Sequence, residues 1–244
     1  MNITWHTEQK SRPYQEDRFF VQKLTSGETI LGVFDGHGDS WTSEYAAKHT
    51  PYIFRALLKN NPYSYYLTME KVINRLDKKT QNHYCGSTAS LVLIDKDQKF
   101  AYVAILGDSP VIIKDAEENI WIAPEHNVRS NKAEADAAIK DGKAFISDGY
   151  LFDRSKGRDS TGLQMSRALG DRSLDNILNR TPEVFEIELN KNSWILCASD
   201  GLTDPGHSSS NFDNIIAKIS TATARSLTKE AGIYDNATAI LVKL

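Results

Sequence analysis

Short apolar runs that stop at an acidic residue recur along this chain. Residues 30–34 (Ile-Leu-Gly-Val-Phe) run into Asp35, residues 100–106 into Gly107-Asp108, and residues 193–199 into Asp200. The last run, residues 237–242, starts just after Asp235-Asn236. Such runs are short and rich in β-branched or aromatic residues, which predicts buried strands. Residues 2–7 alternate Ile3 and Trp5 with polar neighbours and predict a first strand, with a second at 18–21. The turn Ser26-Gly27-Glu28 leads into the run that ends at Asp35. Residues 85–94 and 100–106 flank the polar turn 95–98 and predict a hairpin of long buried strands, followed by another strand at 111–113.

Elsewhere the period changes. Trp41, Tyr45, His49, Ile53 and Leu57 recur every four residues, with Ala46, Ala47 and Leu58 beside them. That spacing predicts an amphipathic helix, N-capped by Asp39 or Ser40 and kinked near Pro51. Val72, Ile73 and Leu76 predict a second helix over 68–81, and Phe212, Ile215, Ile216 and Ile219 a third over 211–222. Residues 123–166 are more polar and less regular, with a charged helical stretch at 131–140. They read as an insertion packed on the sheets, so the whole chain, 1–244, is expected to be one domain. His49 and His126 read as packed structural histidines.

Composition narrows the classes. The chain has 244 residues, 40% hydrophobic and 25% charged, which suits a globular protein with a substantial core. With 29 basic against 32 acidic residues the net charge is −3, so there is no basic excess of the kind nucleic-acid binding needs. No apolar stretch has membrane length, and residues 1–10 lack the apolar segment of a signal peptide. Cys85 and Cys197 sit in strand-like runs and read as small core residues. The expectation is a cytoplasmic protein, a monomer, with no nucleic-acid or membrane partner.

The chemistry lies where the strands stop. Asp35, Asp108, Asp200 and Asp235 stand at strand ends, and Glu16 and Asp17 occupy an early loop with Arg12. Acids gathered at one sheet edge repel one another unless a cation sits among them. Oxygen ligands without a Cys or His cluster favour magnesium or manganese over zinc. Gly36 has no Cβ to keep its carbonyl from an ion, and His37 titrates near neutrality.

The ordered motifs add a resemblance. They are Arg-x-x-x-Glu-Asp at 12–17, Val-Phe-Asp-Gly-His-Gly at 33–38, Cys-Gly-Ser-Thr-Ala at 85–89 and Leu-Gly-Asp-Ser at 106–109. Then come Ser-Arg-Ala-Leu-Gly-Asp at 166–171, Ala-Ser-Asp-Gly-Leu at 198–202 and Asp-Asn-Ala-Thr at 235–238. From Arg12 to Val242 the chain resembles the type 2C metal-dependent protein phosphatases of the PPM family. The resemblance implies an α+β fold: a four-layer αββα sandwich of two antiparallel β-sheets flanked by helices, with the site in a cleft at one edge. It implies a phosphatase that hydrolyses phosphoserine and phosphothreonine monoesters in phosphoprotein substrates with a metal-activated water.

Residue by residue, the resemblance implies that Asp35 bridges two Mg2+ or Mn2+ ions. The Gly36 carbonyl binds one of them, with Glu16 nearby through water, and Asp200 and Asp235 hold the other. Asp108, with Asp200, supports a weaker third ion. Arg12 binds the substrate phosphate, His37 is the general acid, and Asp17 orients Arg12 or His37 from behind. Gly86, Ser87, Thr88 and Asp171 are structural in this reading, and residues 123–166 form a flap beside the cleft. Two departures stand out: Pro110 where the family commonly has Arg, and Asp39 where it commonly has a second Gly. The rival class is a phosphatase-like binding or scaffold module with little catalysis, and a weaker third reading is a metal-dependent nuclease.

Overall fold

The structure, a computed structural model, describes residues 1–59, 64–157, 161–204, 206 and 211–244. Every residue of the strand Thr29–Phe34 is buried, which explains why its sequence is apolar throughout instead of alternating. Leu31 and Val33 face one way, Ile30 and Phe34 the other, and both faces are covered. The strand lies in a five-stranded sheet with the order Glu183–Glu188, Phe100–Leu106, Ala89–Ile94, Thr29–Phe34, Arg18–Lys23. A second five-stranded sheet runs Asn2–Glu8, Ala237–Lys243, Trp194–Ala198, Val111–Lys114, Ile120–Ile122. All their pairings are antiparallel.

The two sheets meet through Leu31, Val33, Val103 and Ile105 on one side and Ile113, Ile195, Ile240 and Val242 on the other. Helices Trp41–Lys59 and Tyr65–Thr80 cover the outer face of the first sheet, with Phe54, Met69, Ile73 and Leu76 against Ile30, Leu91 and Leu93. Helices Phe212–Lys218 and Ala224–Glu230 cover the second through Ile215, Ile219 and Leu227. The result is the expected α+β sandwich of four layers. Among the described residues no helix is long and apolar enough to cross a membrane. Cys85 and Cys197 are buried and unpaired.

Several elements differ from expectation. The second helix starts at Tyr65, because the Ser64 hydroxyl accepts the Leu67 N–H and caps it. The first spans Trp41–Lys59 with Pro51 inside it, in line with the spacing through Leu57 and Leu58. The third stops at Lys218, and the helix Ala224–Glu230 and the edge strand Glu183–Glu188 were not anticipated. The edge strand carries Glu at 183, 186 and 188, which hides its strand pattern while blunting an exposed edge. Residues 85–94 are not one strand: Ala89–Ile94 joins the large sheet, while Gly86–Ser87 joins a separate three-stranded sheet between Gly36–His37 and Leu169–Gly170. The break falls at Thr88, whose N–H turns to the Asp35 carbonyl at 2.9 Å.

The 123–166 stretch, of which 158–160 lie outside the described residues, carries the helix Lys132–Ile139 and the hairpin Ala144–Ser147 with Tyr150–Asp153. Val128, Ala144, Leu151 and Leu163 form a small apolar cluster there with Ala168, Leu174 and Leu178.

Candidate active site

The strand ends deliver the acids to one place. A cleft of about 180 Å³ is walled by Arg12, Asp35, Gly36, His37, Asp108, Asp200 and Asp235 on the sandwich side. Tyr150 and residues 162–165 close the opposite side. Asp17, Asp108 and Asp235 are buried, while Glu16, Asp35 and Asp200 are partly covered.

Local bonds explain the placement. The Asp35 N–H donates to Thr88 Oγ1 at 3.0 Å, and Thr88 Oγ1 shares a 2.7 Å hydrogen bond with Ser109 Oγ. Three motifs are thereby joined beneath the cleft. Asn236 pins the early loop: its amide donates to the Gln9 and Tyr14 carbonyls, and its Oδ1 accepts the Glu16 N–H at 2.8 Å. Gly36 sits where a Cβ would stand 2.6 Å from the Glu16 carbonyl oxygen and 2.7 Å from Ser43 Oγ, so a larger residue would push the Glu16 loop away.

Electrostatics mark the cleft as short of positive charge. Burial, then the charges of Asp17, Asp200 and Asp235, raises the Asp35 pKa well above the carboxylate range. Asp200 is among the like charges that oppose ionisation of Asp35, and a cation between the two would relieve that repulsion. Burial pushes both Asp17 and Asp108 to about 7. Asp17 Oδ1 is buried with no hydrogen-bond partner. Crowded oxygen ligands and an orphaned carboxylate oxygen suit a hard divalent cation.

The other predicted residues are placed as follows. Arg12 Nε donates to Asp235 Oδ1 at 2.7 Å, and that bond raises its pKa. Asp17 contacts neither Arg12 nor His37 through a hydrogen bond. Its Oδ2 accepts from Ser199 Oγ at 2.7 Å, and Ser199 in turn accepts the Thr238 N–H, so Asp17 braces the strand ends beneath Asp200 and Asp235. The partner of His37 is Asp171, whose two oxygens lie 2.9 and 2.8 Å from Nε2. Burial opposes the charged imidazole, but the Asp171 carboxylate outweighs it and the His37 pKa is raised. Asp108 accepts from Asn127 Nδ2 at 2.7 Å. Arg129 bonds Asp204 at 3.1 Å, and the Pro110 carbonyl accepts the Ala198 N–H. Asp39 turns its carboxylate to the Trp41 N–H at the start of the first helix.

Asp171, Asn127 and Tyr150 were not read as site residues. Asp171 lay inside a quoted motif, but nothing linear connects it to His37, 134 residues away.

A second group of ligand-type side chains, His126, Glu134 and Glu183, is not suited to a metal. The Gly107 N–H donates to His126 Nδ1 at 3.1 Å, which leaves the neutral ring's proton on Nε2, the atom facing Glu183 at 3.7 Å. A metal would need the lone pair at that same atom. Arg167 already pairs with Glu134 at 2.5 Å and Glu183 at 2.9 Å. A larger cavity nearby, about 570 Å³, is lined by this ion pair and not by the strand-end acids.

Comparison with known proteins agrees with this geometry. The family model for Protein phosphatase 2C matches residues 4–235. The chain is 31% identical over 232 residues to probable protein phosphatase 2C 52 of Oryza sativa subsp. japonica, covering 88% of this chain and 44% of that protein. It is 30% identical over 209 residues to protein phosphatase fem-2 of Caenorhabditis elegans, covering 79% of this chain and 45% of that protein. The chain therefore spans less than half the length of either relative. Among solved structures, a C. elegans sex-determining protein superposes with a TM-score of 0.79 at 25% identity, over 98% of this chain and 64% of that one. The catalytic domain of the serine/threonine phosphatase PstP, in complex with two manganese ions, superposes with a TM-score of 0.62 at 15% identity, over 98% of this chain and 96% of that one. With a family model matched over nearly its full length, the chain belongs to the protein phosphatase 2C family.

Proposed function

We propose that this protein is a Mg2+- or Mn2+-dependent phosphatase that hydrolyses phosphoserine and phosphothreonine in protein substrates. The observation that carries the reading is the crowding of Asp35, Asp200, Asp235 and Asp108 around one cleft, where burial and like charge together oppose ionisation of Asp35. In this reading Asp35, the Gly36 carbonyl, Glu16, Asp200 and Asp235 would hold the two ions. Asp108 with Asp200 forms a weaker third position. The ions supply an activated water and neutralise charge on the phosphoryl oxygens.

This chain's own residues do the rest. Arg12 is tied to Asp235 through Nε, which leaves the terminal nitrogens of its planar fork for the phosphoryl oxygens. Asp17 keeps the strand ends carrying Asp200 and Asp235 in register. As a water oxygen bonds to phosphorus, the P–O(ester) electron pair passes to the serine or threonine oxygen. His37 supplies that oxygen with its proton, and the products are a hydroxyl side chain and inorganic phosphate. Residues 123–166 act as a flap of the same domain, presenting Tyr150 and residues 162–165 to the peptide around the phosphorylated residue. The monomeric state and cytoplasmic location belong to this proposal; two buried, unpaired thiols fit a reducing compartment.

The test is phosphate release from a phosphothreonine peptide. Activity should vanish in chelator and return with manganese or magnesium. Turnover in a verified metal-free sample would refute the metal-dependent reading. Stoichiometric metal binding with no turnover on any phosphopeptide would favour the scaffold class.

A further inference from the structure

We infer that Asp171, seated over the bare Cα of Gly86, is the positioning residue that fixes the His37 ring for proton delivery. The inference rests on the phosphatase reading of the cleft. It starts from the small three-stranded sheet. There His37 pairs with Gly86, and Gly86 pairs on its other side with Gly170, so three distant motifs are joined edge to edge. Asp171 follows Gly170 directly. Its backbone is left-handed, with φ 52° and ψ 49°, a conformation in which Asp is among the more tolerant L-residues. That turn brings its carboxylate back across Gly86 to His37 Nε2.

The pair closes only over glycine. A Cβ on Gly86 would stand 2.0 Å from Asp171 Oδ2 and 2.2 Å from His37 Nε2. The absence of a side chain at position 86 is thus as much a part of the arrangement as the two groups that meet there. His37 lines the cleft, whereas Asp171 does not. Asp171 therefore acts through the imidazole and not on substrate.

An imidazole without a fixed acceptor can rotate and present either nitrogen. With Nε2 held by a carboxylate, the ring has one orientation and Nδ1 is the nitrogen left for the departing oxygen. This is the role a buried carboxylate plays behind a catalytic histidine generally: it sets the tautomer and orientation without taking the proton itself.

The rival role for Asp171 is purely structural, a tie between Leu169–Gly170 and the small sheet. The two are separated by leaving group. A seryl or threonyl oxygen departs as a strong base and needs the proton, whereas nitrophenolate does not. The experiment is kcat and KM at saturating manganese for a phosphothreonine peptide and for nitrophenyl phosphate. It compares wild type, Asp171→Asn, Gly86→Ala, His37→Gln and the His37→Gln/Asp171→Asn double variant, with thermal melting as a folding control.

Asp171→Asn should lower peptide kcat by about 10- to 100-fold, less than the loss of a whole general acid at about 10²–10⁴-fold, and change nitrophenyl phosphate turnover by less than about 3-fold. Gly86→Ala should give the same selective loss. The double variant should be no slower on the peptide than His37→Gln alone, because the two residues act as one unit.

Equal losses on both substrates, or additive losses in the double variant, would overturn the positioning role. Nitrogen-15 NMR of the His37 ring gives a readout independent of turnover: wild type should show a protonated, exchange-protected Nε2 that Asp171→Asn loses. An unchanged ring signal in that variant would overturn the pairing. Wild-type protein inert on both substrates would instead overturn the phosphatase reading, and the ring signal would then decide the pairing by itself.

Discussion

Two clusters of carboxylates, one of buried and partly covered Asp residues in the cleft and one of partly covered Glu residues around Arg167, solve the same electrostatic problem differently. At His126, Glu134, Glu183 and Arg167 the protein supplies its own cation. Arg167 grips Glu134 through two nitrogens, Ser166 adds a hydrogen bond, and these bonds outweigh burial to lower the Glu134 pKa. In the cleft, Asp17, Asp35 and Asp108 are raised because burial and like charge are not offset. Arg12 reaches only the rim, through Asp235. A buried acid whose counter-charge is built in belongs to the structure. A buried acid without one marks a place for something from outside. Counting acids and histidines by proximity does not separate the two cases; following the donors does.

That contrast can be broken experimentally. The largest expected effect is on catalysis. Asp200→Asn should lower turnover by more than about 100-fold, since even residues that merely support metal ligands act on the 10- to 100-fold scale. The same variant should melt higher than wild type when metal-free, because one repelling charge is gone. Turnover at the wild-type rate would remove Asp200 from the centre.

Next in size is the self-neutralised cluster. Arg167→Met should cost roughly 1–3 kcal/mol by leaving the half-buried Glu134 without its counter-charge, and added manganese should not restore it. Urea unfolding with and without metal measures both claims. Rescue by metal would mean that this cluster binds ions after all.

The smallest effect is the pH dependence of the metal-free protein. Asp17 and Asp108 have folded pKa values of about 7, above the unfolded value of 3.8. Groups raised on folding add stability that is complete below the unfolded pKa and lost as pH rises through the folded one. Chelated protein should therefore melt lower at about pH 8 than at about pH 7, and saturating metal should remove that slope. His126, pushed down to about 4 by burial and Arg167, acts in the opposite sense, losing stability as pH falls below its ordinary 6.5. The comparison is cleanest above that value.

Most of the sandwich could be read in advance because its central strands are apolar on both faces, and a run such as 30–34 has few alternatives. Asp35, Asp108, Asp200 and Asp235 could be read for the same reason, since each interrupts or borders a run where a carboxylate has no packing role. Elements at the periphery escaped. The edge strand Glu183–Glu188 is half solvated, so its composition resembles a loop, and its assignment depends on pairing with Phe100–Leu106. The break at Thr88 was invisible because its cause, the Asp35 carbonyl, lies 53 residues away in the chain.

The sequence by itself thus determined the layers, the strand-end acids and the kind of ion they suit, all of which follow from local apolarity and ligand chemistry. Only the tertiary structure decided who partners whom. It took Asp17 from Arg12 and His37 and gave it to Ser199, and it brought Asp171 onto His37 across Gly86. It also showed that Arg167 grips both Glu134 and Glu183, whereas in the cleft Arg12 bonds Asp235 and leaves Asp17, Asp35 and Asp108 raised by burial and like charge. The physical reason is that a hydrogen bond or ion pair is decided within about 3 Å of space. Asp17 and Ser199 stand 182 positions apart and Asp171 and His37 stand 134 apart, and no local pattern records either meeting.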